Sequence, residues 1–211
     1  MSIEKAEKHL AAAHPKFEAL IAKHGRCVLV DEEDEQVTIY QALMRAILFQ
    51  QLSGKAASTI QGRLYALFPG HSFPPADLLA AMSVEEFRVV GVSRQKAGYL
   101  QDLASKAHII PSPSELHKLT DDEIVERLIT IKGVGRWTVE MLLMFRFGRM
   151  DVLPVDDMGV QEGFKRVFEL EKRPKKKEME ALAECWRPYR SVGSWYMWRL
   201  CDDKEGLSAT S

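Results

Sequence analysis

The sequence predicts an all-α protein. Apolar residues recur at helical spacing in nearly every segment, two capping boxes mark helix starts, and no run alternates polar and apolar residues as a half-buried strand would. The first 24 residues read as one or two helices, broken near His14-Pro15. Residues 27–38 suit a short extended piece. Residues 40–51 place Leu43, Ala46 and Ile47 on one face, and residues 55–68 do the same with Ala57, Ile60, Leu64 and Leu67. Ser83 with Glu86, and Thr120 with Glu123, are capping boxes: hydroxyl and carboxylate satisfy each other's orphan backbone amides. Between them, residues 94–107 carry Leu100, Leu103, Ala104 and Ala107. Further helices are expected at about 136–147, 157–168, 176–186 and 190–200. Pro69-Gly70, Pro74-Pro75 and Pro111-Ser-Pro113 mark loops.

At 211 residues the chain suffices for one large domain or two lobes. No apolar run approaches the roughly 18 residues that a membrane span needs. The N-terminal segment has early acidic residues and no apolar h-region, which excludes a secretory signal and points to the cytoplasm. Cys27, Cys185 and Cys201 are too few and too scattered for a disulfide framework or a zinc site, and Cys185, beside Trp186, is expected in the core. The formal net charge of −1 does not announce a nucleic-acid binder, so any basic surface must be local. The one dense basic run, residues 171–178, reads as a solvated loop in preference to a phosphate contact.

The most specific local signal is the stretch 128–139, in which a helix ends near Ile131, a Gly133-Val134-Gly135 turn follows, and a new helix starts at once. Glycine permits positive φ and close approach of the backbone to a ligand. The new helix presents unpaired amides and the positive end of its dipole, which suits a phosphate and reads no base sequence. Val134 would anchor the turn in the core. The plainer reading is a helix corner with a glycine cap. The apolar residue two before the first glycine and Thr138 three past the second favour the phosphate site.

This hairpin, with Asp157 twenty residues past Trp137 in Asp151-Val-Leu-Pro-Val-Asp-Asp-Met158, resembles the helix-hairpin-helix DNA glycosylase superfamily, in its 3-methyladenine DNA glycosylase II (AlkA-like) branch. Residues 45–57, 91–100 and 186–191, the last followed by Trp195 and Trp198, are similar to further segments of that family in the same order. The resemblance covers about residues 40–200. It implies two helical lobes with a DNA-binding cleft between them, one lobe from residues 1–38 and 146–211, the other from 39–145 and ending in the hairpin at 128–139. It also implies a monomer acting on damaged double-stranded DNA, without a membrane, in a prokaryotic cytoplasm beside the nucleoid or in a eukaryotic nucleus.

Breaking an N-glycosidic bond builds positive charge on the sugar, which a fixed carboxylate stabilises. Asp157 matches the family's catalytic aspartate; an acid after proline is also expected to cap the helix that begins there, and the two roles are divided between the pair, with the chemistry at Asp157. Relatives that cleave the strand use a hairpin lysine to form a Schiff base, and this chain has Trp137 there, so hydrolysis alone is expected. Two C-terminal cysteines cannot hold the four-cysteine iron–sulfur cluster of other relatives. No cofactor is required, although the family implies a Na+ or K+ ion on the backbone carbonyls of Ile129, Ile131 and Val134. Trp137 and Trp198 match aromatic pocket positions, where electron-rich faces attract a cationic alkylated purine. Trp198 suits core packing equally well. Met141 and Met158 replace tyrosines of a well-known relative, and Phe49 replaces a glycine, so the pocket is shaped differently. Gln51 falls where a side chain fills the gap left by a flipped base. Ser53, Lys55, Gly133, Gly135, Arg136 and Thr138 complete the expected DNA contacts. The function implied is release of 3-methyladenine and 7-methylguanine in base excision repair. A non-catalytic DNA-binding module, or a glycosylase for other damaged bases, stands as the alternative.

Overall fold

The computed structural model describes residues 2–29 and 37–203. Among these residues every regular element is helical. The chain divides into two compact units, one of Met1–Glu35 with Leu143–Ser211 and one of Gln36–Leu142. No helix of the described residues is long and apolar enough to cross a membrane.

The first unit opens with α1 (Ile3–Ala13), N-capped by Ser2, and α2 (Lys16–His24), separated at His14-Pro15. It continues with α11 (Met158–Val167), α12 (Lys176–Leu182) and α13 (Arg190–Asp202). Its core is aromatic: Phe17, Phe164, Trp186 and Tyr196 are all fully buried, and Phe17 meets the Trp186 ring edge-on at 5.1 Å. A large apolar side chain buried in this way contributes about 1.5–3 kcal/mol. α11 and α13 pack closely because Gly163 presents only backbone to Met197; a Cβ there would lie 2.5 Å from the Met197 carbonyl oxygen.

The second unit holds α3 (Ile39–Phe49), α4 (Gly54–Tyr65), α5 (Ala76–Ala81), α6 (Val84–Val89), α7 (Arg94–Ser105), α8 (Pro113–Leu116) and α9 (Asp121–Leu128). Its core includes Leu43, Ile47, Leu64, Leu100 and Leu128, all fully buried. Both expected capping boxes form, at Ser83 for α6 and Thr120 for α9, and two more begin α3 and α8. α10 (Arg136–Phe145) follows, and the division between the units falls within it.

Four expectations need correction. α4 ends at Tyr65, not 68, because the amides of Leu67 and Phe68 bond three residues back in tighter turns. The helix expected over 176–186 ends at Leu182 and passes into a 3-10 turn, Glu184–Trp186. That turn carries Trp186 inward and leaves Cys185 exposed, so Cys185 is not a core residue. The helix before the glycine hairpin ends at Leu128, earlier than Ile131, since the Ile131 amide turns back to the Leu128 carbonyl. Of the extended piece at 27–38, residues 27–29 form no strand, and most of the rest lies outside the described residues.

Candidate functional site

Asp157 is placed by its local sequence. Pro154 and Val155 are buried, and the Asp157 amide closes a turn onto the Pro154 carbonyl at 3.1 Å. Asp157 is the N-cap of α11, its Oδ1 accepting the Val160 amide at 2.9 Å. The same Oδ1 accepts the indole Nε1 of Trp198 at 2.8 Å. The expected division, with the cap at one aspartate and the chemistry at Asp157, is corrected: Asp157 itself is the cap, and Asp156 is exposed. Trp198 is half-buried, with its ring tilted on Phe145 at 5.6 Å. Gly159 admits the indole, since a Cβ there would meet Trp198 at 2.8 Å. Met158, the first residue of α11, is 69% exposed. Asp157, Met158 and Trp198 thus come together on one unit.

The segment leading to Asp157 is braced by residues that the sequence reading left without a role. The Asp151 carboxylate accepts Arg187 Nη1 at 2.6 Å and Arg190 Nε at 2.7 Å. Buried Ser191 donates its hydroxyl to the Arg149 carbonyl at 2.6 Å and accepts the Val152 amide at 2.9 Å. An acid and two arginines nearly forty positions apart give no sequence signal, because only the fold makes them neighbours.

On the other unit, the turn between α9 and α10 has Gly133 at φ +81°. Any Cβ at Gly133 would overlap the ring of Tyr99. Gly135 has neither constraint: its φ is not in the left-handed region and a Cβ there would meet nothing within 4 Å. Val134 is buried and donates its amide to the Ile131 carbonyl at 3.1 Å. At the start of α10 the Val139 amide bonds the Gly135 carbonyl at 3.2 Å. Arg136, exposed at the start of α10, lies 3.7 Å from Asp122 and 3.9 Å from Glu140. Thr138 is half-buried, and Trp137 is 48% exposed. Met141 is half-buried on the same helix.

The loop after α3 runs from Gln50 to Ser53. Gln51 is exposed and takes φ +57°, a left-handed conformation that few non-glycine residues adopt. Ser53 caps α4 through the Ala56 amide, and Lys55 is exposed in its first turn. Phe49 is half-buried under the Arg45 guanidinium, 4.3 Å from its centroid. Lys96 donates to the carbonyls of Leu48 and Gln50, and burial holds its ammonium below the ordinary lysine range. The Asp102 carboxyl is pushed up by burial, but bonds from Lys106 and the Lys132 amide outweigh this and hold it below the usual aspartate range. The sequence reading missed Lys96, Tyr99 and Asp102, because a charged helix ordinarily reads as a solvated face.

The described residues thus form an all-helical protein with a glycine turn ahead of α10 and an aspartate held at the start of α11. Residues 44–188 match the HhH-GPD superfamily of base excision DNA repair proteins, and the chain belongs to that family. It is 34% identical over 200 residues to DNA-3-methyladenine glycosylase 1 of Schizosaccharomyces pombe, covering 94% of this chain and 87% of the relative. The solved structure of the S. pombe 3-methyladenine DNA glycosylase Mag1 in complex with abasic DNA matches with a TM-score of 0.80 at 33% identity, over 97% of this chain and all of that one. A DNA-3-methyladenine glycosidase from Bacillus halodurans matches with a TM-score of 0.81 at 32% identity, over 93% of this chain and 89% of that one.

Proposed function

We propose that this protein is a monofunctional DNA glycosylase that hydrolyses the N-glycosidic bond of alkylated purines everted from duplex DNA. The observation that carries the reading is the fixed Asp157 carboxylate, capping α11 and bonded to Trp198 Nε1. A carboxylate held in place before the reaction offsets developing sugar charge without reorganising. The names and similarity of the relatives support the same activity.

In this reading the unit of Gln36–Leu142 grips the duplex. Phosphate meets the amides at the start of α10, beside Gly133, Gly135, Arg136 and Thr138, and Gln51 enters the base stack with Ser53 and Lys55 near the backbone. The other unit supplies the carboxylate. Beside Asp157, Trp198 offers an aromatic face and Met158 a thioether to the base. Such groups favour a cationic purine and cannot strongly reject a base by its edge pattern. With tryptophan at 137 no lysine forms a Schiff base there, so the product is an abasic site in an intact strand. A Na+ or K+ ion on the carbonyls of Ile129, Ile131 and Val134 suits the hairpin, since a carbonyl such as that of Ile131, already accepting Val134, keeps a second lone pair. The protein acts as a monomer, in the cytoplasm or the nucleus.

The test is to incubate the protein with methylated duplex DNA and identify what is released. Free 3-methyladenine and 7-methylguanine with unbroken strands are expected. Tight DNA binding without base release would favour a non-catalytic binding module.

A further inference from the structure

Four side chains on one face of α7 reach the two loops assigned to DNA. Lys96, Tyr99, Asp102 and Lys106 follow at helical spacing, the last just past the helix end. Lys96 Nζ donates to the Leu48 carbonyl at 2.7 Å and the Gln50 carbonyl at 2.6 Å, oxygens left open where α3 stops. The Tyr99 ring lies where a Gly133 side chain would stand. Asp102 accepts the Lys132 amide at 2.8 Å, and Lys106 bridges Asp102 to the Thr130 carbonyl. The Gln50 side chain closes the circuit, donating to the Gly133 carbonyl at 2.8 Å. Beside the Gln51 loop is a cavity of about 200 Å³ lined by Leu48, Gln50, Gln51, Leu52 and Lys96 among others. The polar ties from Lys96 end on Leu48 and Gln50, the residues that lead directly into Gln51.

We propose that α7 couples the two DNA-gripping loops and that Lys96 is a positioning residue that sets Gln51 for entry into the base stack. The proposal rests on the reading of Gln51 as the gap-filling residue. Lys96 touches no reacting atom; it holds the end of α3, which the Gln50 side chain in turn ties to the hairpin. Everting a paired base costs more than everting an unpaired one, so a loosely held Gln51 harms paired lesions most.

Lys96→Met keeps the apolar stem and removes both donors. Single-turnover release of 7-methylguanine opposite cytosine should fall about tenfold, and opposite an abasic-site analogue less than about twofold, because there the stack is already open. A readout independent of activity is a duplex carrying 2-aminopurine opposite a tetrahydrofuran site. The wild-type protein should raise its fluorescence as Gln51 unstacks it, and Lys96→Met and Gln51→Ala should not. Binding of undamaged duplex, read by anisotropy, should be retained. Gln50→Ala cuts the tie to Gly133 and leaves both Lys96 bonds, which end on backbone oxygens; it should show a milder loss of the same pairing-dependent kind, and it decides the matter if Lys96→Met does not fold. Equal loss on paired and unpaired lesions, or unchanged release from the paired duplex, would overturn the proposal. If the wild-type protein releases no base, the glycosylase reading fails while the fluorescence still decides the role of Lys96. A fluorescence rise that survives Gln51→Ala removes the gap-filling role and the proposal with it.

Discussion

The indole Nε1 of Trp198 donates to Oδ1 of Asp157 at 2.8 Å, the oxygen that also takes the Val160 amide. Two donors on one carboxylate oxygen fix the orientation of the group. Trp198→Phe keeps an aromatic ring on Phe145 and removes one donor. Base release should slow about tenfold, the equivalent of one charge-assisted hydrogen bond at about 1.4 kcal/mol, while DNA affinity stays near the wild-type value. Paired measurements of single-turnover rate and affinity check this; an unchanged rate would reduce Trp198 to a packing residue.

The two hairpin glycines should part company. Gly133→Ala meets the Tyr99 ring and must hold φ +81°, so it should lower the melting temperature as well as DNA affinity, by roughly 1–3 kcal/mol of stability. Gly135→Ala has open space and ordinary φ, so its melting temperature should match the wild type. Its loss, if a phosphate approaches as proposed, should be confined to DNA binding and similar for all duplex sequences. Thermal melts beside binding curves separate the two; a destabilised Gly135→Ala protein would contradict this division.

Much of this was legible in the sequence because it is local. The capping boxes at Ser83 and Thr120, the break at His14-Pro15 and the buried Val134 all follow from residues within a few positions of each other. That an acid after Pro154 caps α11 was legible, but that Asp157 rather than Asp156 takes the cap, and its bond to Trp198, 41 positions away, were not. Cys185 was misplaced because helical periodicity was carried through a 3-10 turn, which points successive residues differently. Lys96 and Asp102 were invisible for the opposite reason. Their partners, Gln50 and Lys132, are 46 and 30 positions away and offer backbone atoms, which every residue has.

The Asp102 anchor should weaken in acid. Its carboxyl is held below the ordinary aspartate range in the folded chain, so its contribution is complete above the unfolded value, near pH 4, and is lost as pH falls through the lower folded value. Asp102→Asn should therefore melt below the wild type at pH 6, and the difference should close below about pH 4. Melts across that range check this; a constant difference would mean that the Lys132 and Lys106 bonds do not depend on the charge.

Trp137 is nearly half exposed, so Trp137→Ala should cost little stability. If its face attracts charged bases, the loss should fall on 3-methyladenine and 7-methylguanine more than on neutral hypoxanthine or ethenoadenine, by about 0.5–2 kcal/mol, or twofold to thirtyfold. Parallel release assays on the four bases check the ratio. An unchanged ratio would mean that base selection lies elsewhere.

The most direct test of the account is base release by Asp157→Asn. Asparagine is as good an N-cap as aspartate, so α11 and the fold should survive the change, and Asp156→Asn serves as an exposed control one residue away. The amide carries no charge to offset the developing positive charge on the sugar. Asp157→Asn should bind methylated duplex as the wild type does and release 7-methylguanine at least about a hundredfold more slowly, with Asp156→Asn near normal. Near-normal release by Asp157→Asn would contradict this.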